Sequence, residues 1–138
     1  MIPTLKGFVM SKLIYWLGSE TSKRTIGTGF WIVLVIWFVL SHTPADQLPE
    51  DPIVSDKLIH FMAYLLIALL RAFSISRPYK LSFNWLTPLI VFAAFDEWSQ
   101  GFFQRFPSFA DFAFDLLGIL IAALIFRVFI KIHASAKN

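Results

Sequence analysis

Four apolar stretches, each near the length that crosses a bilayer, dominate this chain and restrict it to folds that lipid can solvate. They run from about Thr25 to Leu40, Leu58 to Ile75, Leu81 to Phe95 with an extension towards Phe103, and Phe112 to Ile132. A membrane span needs roughly 20 residues, so the first and third are short and must borrow neighbours, or lie in a thin bilayer or beside an internal cavity. With 57% of residues hydrophobic and 15% charged, a soluble domain of 138 residues would lack the polar surface to cover its core. The sequence therefore predicts an all-α protein, a four-helix transmembrane bundle.

The charges follow the same division. Ten Lys and Arg fall before the first stretch, between the second and third, or near the C-terminus, and only Lys57 and Arg105 occupy the other two connections. Basic residues mark the cytoplasmic side, so both termini are expected there. Acids are biased the opposite way. Asp46, Glu50, Asp51 and Asp56 lie in the first outer connection, and Asp96, Glu97 and Asp111 surround the second. The net charge of +3 is dispersed among short connections, which does not point to nucleic acid.

Before the first stretch, Leu5, Phe8, Val9, Leu13, Trp16 and Leu17 recur at helical spacing. Residues 1–24 are thus read as a cytoplasmic leader with an amphipathic helix on the inner leaflet, residues 25–132 as the membrane domain and 133–138 as a cytoplasmic tail. No cleavable signal is expected, because the first strongly apolar run starts near Ile26 without a small-residue cleavage site after it. The absence of Cys excludes thiolate chemistry.

Polar residues gather at the outer helix ends. Asp56, His60 and Tyr64 are four apart and share one helix face over roughly 12 Å of depth. Either Ser55 or Asp56 can cap that helix. Asp96 and Gln100 share a face of the third helix. Asp96 and Glu97 are adjacent acids at a membrane boundary and need an offsetting partner, for which Lys57, Arg105 or a metal are candidates. In the second outer connection Arg105 is the lone cation, Pro107 stops regular structure and Ser108 can cap the fourth helix. On that helix Asp111, Asp115, Gly118 and Ala122 fall on one face, whose small residues favour close approach of a neighbour. Asp115 lies deeper and must be partnered or protonated.

The order and spacing of these residues resemble the VanZ-like family of bacterial integral membrane proteins. Its pattern is seen here as Asp56, Lys57, His60 and Tyr64, then Asp96, Glu97 and Gln100, then Arg105, Ser108, Asp111, Asp115 and Gly118. The resemblance covers about Asp56 to Ala122. The chain departs from the pattern at Phe103-Gln104, where the family often has Pro-Gly, and at Asp115, where it often has Asn. The resemblance implies a cell-envelope protein associated with glycopeptide resistance, notably to teicoplanin, in the founding members, and supplies no agreed reaction.

Three function classes remain open on the residues. The first is a non-enzymatic envelope protein whose outer cleft binds a lipid headgroup, a wall precursor or a partner. The second is a membrane enzyme acting on an envelope lipid or its phosphate, with His60 as acid or base, Asp96, Glu97, Asp111 and Asp115 around a divalent cation, and Arg105 on a phosphate. The third, a small transporter or proton path, fits least well, because the cluster stays on one side with Arg71 the only charge near the other. No Gly-rich phosphate loop and no His-Glu-x-x-His is present, and no cofactor is expected.

Overall fold

The computed structural model describes residues 19–47, 55–75 and 83–135. The leader helix expected over Leu5–Leu17 lies outside the described residues, as do Glu50 and Asp51. Within them the fold is all-α: four helices, α1 (Glu20–Ser41), α2 (Asp56–Ser74), α3 (Thr87–Gln100) and α4 (Phe109–Ser135), form a bundle. Short 3₁₀ turns stand at Ala45–Gln47, Phe83–Trp85 and Gly101–Phe103.

Local chemistry sets the helix ends. Ser19 caps α1 by accepting from the Ser22 backbone N–H, so that helix begins five residues before the apolar run and reaches 22 residues, no longer a short span. Ser55, not Asp56, caps α2 by accepting from the Leu58 N–H. The third helix is shorter than a span: 14 residues, opening with Pro88 at its first turn, where a missing N–H costs nothing. Its flanking turns extend the apolar segment to Phe103, as the sequence suggests. The fourth helix continues past Ile132 to Ser135.

Three helices, Glu20–Ser41, Asp56–Ser74 and Phe109–Ile132, are long and apolar enough to cross a membrane. Their outward faces carry Trp31, Ile32, Val35, Ile36, Val39 and Leu40 on α1, and Leu117, Leu120, Leu124, Val128 and Ile132 on α4, all exposed. Aliphatic rows of this kind are stable against lipid chains and unfavourable in water. The protein is membrane-embedded.

Ring contacts fix an up-down-up-down arrangement. At one end Arg71 lies over Phe30, and Phe73 and Trp85 pack on Phe126. The core is built around Phe30, Trp37, Tyr64, Ile67, Leu89 and Ile119, interleaved with Ala68, Ala72, Ala93, Ala122 and Ala123. Small residues let helix backbones approach where lipid supplies no hydrophobic drive between helices. The closest approach is at Gly118, where a Cβ would stand 2.5 Å from the Phe61 carbonyl oxygen. α2 packs most extensively on α4, and the opposite end of the bundle, where α1 and α3 finish and α2 and α4 begin, carries the polar cluster.

Candidate functional site at the polar end of the bundle

His60, Tyr64, Asp96, Glu97, Gln100, Asp111 and Asp115 are all buried at this end, as the shared helix faces require. They divide into two groups joined through Trp37.

The first group centres on Asp96, which is 0% exposed. Its Oδ2 accepts from Trp37 Nε1 at 3.0 Å and from the Tyr64 hydroxyl at 3.2 Å, and its Oδ1 accepts from the Ser41 hydroxyl at 2.8 Å. His42 Nδ1 stands 3.7 Å from the same Oδ1. His42 Nε2 also meets the Ser99 hydroxyl at 2.8 Å. One carboxylate on α3 thus ties the end of α1 to the middle of α2 through three neutral donors. Of the offsetting partners the sequence offers for Asp96 and Glu97, neither Lys57 nor Arg105 reaches Asp96, and Asp96 is as fully buried as Asp115 rather than nearer water. Trp37, Ser41, His42 and Ser99 carry this network and were not singled out from sequence. Ser41 and His42 at the end of an apolar helix are the only signal that pointed to it.

The second group surrounds His60. Its Nδ1 meets Asp115 Oδ1 at 3.0 Å, with both side chains buried. Trp37 stands edge-on to the His60 ring, with centroids 4.9 Å apart. Glu97 Oε1 accepts from the Ser108 backbone N–H, which anchors the loop after α3, and Glu97 Oε2 accepts from Gln100 Nε2 at 3.4 Å. Ser108 in turn caps α4 by accepting from the Asp111 N–H at 3.4 Å. Asp115 Oδ2 and Asp111 Oδ1 are buried without a hydrogen-bond partner among the described residues. Donor atoms of His60, Glu97 and Asp115 lie within 4.8 Å of one another, and so do those of Asp56, His60 and Asp111. These are the residues able to hold a cation.

The two cations form the rim. Arg105 Nη2 stands 3.5 Å from Asp56 Oδ2, and Lys57 Nζ stands 4.0 Å from Asp111 Oδ1. Both exceed the usual length of a charge-assisted hydrogen bond, roughly 2.7–2.9 Å, and Arg105 has further N–H donors to spend. Neither cation pairs with Asp96 or Glu97. Around them Trp98, Phe102, Phe103, Phe106 and Phe109 are exposed, Phe106 at 90% and Phe109 at 84%. Of these, Trp98 is of the kind that settles at the level of lipid headgroups, and the four Phe side chains are apolar surface that water disfavours.

The loop that holds Arg105 has one unusual backbone. Gln104 adopts φ 59° and ψ 28°, the left-handed region that favours glycine. This turn lets the Arg105 N–H reach back to the Gln100 carbonyl at 3.3 Å and directs the chain into Ser108.

No protein-family model, no curated protein and no solved structure matches the chain.

Proposed function

We propose that this chain is a VanZ-like protein of the bacterial cytoplasmic membrane, with both termini cytoplasmic, and that its outward polar end binds the phosphate-bearing headgroup of an envelope lipid or lipid-linked wall precursor. The reading is of a binding protein and not of an enzyme. The observation that carries it is the rim: Arg105 pairs with the exposed Asp56 and Lys57 with the buried Asp111, and the stretch of chain around Arg105 exposes Trp98, Phe102, Phe103, Phe106 and Phe109. Arg105 offers planar, bidentate recognition of phosphate: its side chain, 11% exposed, meets Asp56 through one Nη at 3.5 Å and keeps further N–H donors. The orientation rests on the ten-to-two division of Lys and Arg between the two sides.

Support for the family comes from the backbone of Gln104. A glycine before the Arg has a physical reason if that position needs positive φ, and Gln104 has it.

The test is lipid binding. The full chain, purified and placed in nanodiscs that mix phosphatidylglycerol and phosphatidylcholine, should retain phosphatidylglycerol through delipidation. Arg105→Gln should lower the retained phosphatidylglycerol about tenfold, the loss of roughly 1.4 kcal/mol. Equal retention of phosphatidylglycerol by the native chain and by Arg105→Gln would remove the reading.

A further inference from the structure

We infer that His60, Glu97 and Asp115 form a buried binding site for a divalent transition-metal ion, Zn²⁺ or Mn²⁺, between α2, α3 and α4. The inference stands independently of headgroup binding, because it concerns the inner side chains and not the cationic rim.

Two overlapping triads share His60; each holds a buried carboxylate oxygen without a hydrogen-bond partner, and burial of all three members and the placement of the cations select the inner one. Its members are all buried, whereas Asp56 in the outer triad is exposed and paired with Arg105. Asp115 Oδ2 is fully buried and has no hydrogen-bond partner among the described residues. Leaving a carboxylate oxygen unpaired in an apolar interior is costly, and a cation satisfies it directly. Charge points the same way. A neutral imidazole with two carboxylates carries two negative charges, which a divalent ion cancels, while the available Lys57 and Arg105 stay at the rim.

The donor types and spacing fit. One imidazole nitrogen with carboxylate oxygens suits Zn²⁺ or Mn²⁺ better than the all-oxygen shells of Ca²⁺ or Mg²⁺. Ligands held at about 2.1 Å from an ion stand roughly 3–4 Å from one another, so donors within 4.8 Å close on it by small side-chain rotations. Three protein ligands leave a coordination position open, the pattern of sites that exchange a further ligand. Glu97 and Gln100 are hydrogen-bonded, and Glu97 is also held by the Ser108 N–H, which supplies the outer support that metal sites need.

The experiment uses the full chain in detergent, stripped with a chelator, reloaded with equimolar Zn²⁺ and Mn²⁺, washed and analysed for metal by mass spectrometry. One ion per chain is expected. Glu97→Gln and Asp115→Asn should each weaken retention by more than about 100-fold, the upper end of what outer-shell changes cost. Glu20→Gln, at the other end of the bundle, should retain the ion fully. If Asp115→Asn does not accumulate, Glu97→Gln decides the matter alone. Retention of neither ion by the native chain, as a shared proton on the His60–Asp115 pair would give, overturns the site. So does equal retention by native and Glu97→Gln chains.

Discussion

Gly118 on α4 lies against the backbone of Phe61 on α2, so close that a Cβ would meet the Phe61 carbonyl oxygen at 2.5 Å and the Leu65 nitrogen at 2.9 Å. Both obstacles are backbone, which cannot rotate away. Gly118→Ala should therefore push the two helices apart and separate His60 from Asp115, three residues before the glycine. Overpacking of this kind costs about 1–3 kcal/mol. Thermal unfolding in detergent should show a lower midpoint for Gly118→Ala, while Gly29→Ala, inside α1 with nothing within 4 Å of its Cβ position, should keep or raise it.

The two adjacent acids should respond differently to loss of charge. Asp96 accepts from Trp37, Ser41 and Tyr64. In Asp96→Asn one oxygen becomes an NH₂ group that faces donors, leaving buried donors unpaired at a cost of roughly 1–3 kcal/mol. Membrane abundance should fall, and Trp37→Phe, which removes one of those donors, should partly restore it in the double variant. No recovery of abundance in the double variant would show that the Asp96 network does not hold the helices.

Glu97→Gln keeps the shape and an acceptor for the Ser108 N–H, so the protein should insert and accumulate normally. It should nevertheless fail to complement a deletion phenotype, as should Arg105→Gln, which leaves the fold but strips the rim. Quantitative membrane blotting beside complementation separates abundance from function. Full complementation by both variants would make these charges structural only.

How far the sequence could be read is seen in these same residues. The faces of α2 and α4 were legible because i, i+4 spacing is local: Asp56, His60 and Tyr64, and Asp111, Asp115, Gly118 and Ala122, fall where helical geometry puts them. Pairing between helices was not. Trp37 and Ser41 meet Asp96 across 59 and 55 residues of chain, and no periodicity encodes which polar side chain a distant carboxylate will find. Which acid each cation meets, Asp56 for Arg105 and Asp111 for Lys57, is hidden for the same reason. The third stretch reads as short, but hydropathy continues through the 3₁₀ turns on either side and hides where α3 begins and ends.

Gln104 holds a left-handed backbone without being glycine. Gln104→Gly relieves that strain, worth about 1–2 kcal/mol at one residue, although glycine returns part of it through unfolded-state entropy. The variant should be at least as stable as the native chain in a detergent melt and keep its lipid retention. Gln104→Val, β-branched at positive φ, should lose stability.

The proposed outward orientation of the polar end is open to direct labelling. The chain has no Cys, so single introduced thiols report position without background. Phe106→Cys, 90% exposed in the loop beside Arg105, and Lys131→Cys, exposed near the end of α4 at the opposite end, should be treated in intact cells with a membrane-impermeant maleimide. The account predicts that Phe106→Cys is labelled at once and Lys131→Cys only after the membrane is permeabilised. Labelling of Lys131→Cys in intact cells, with Phe106→Cys protected, would contradict it.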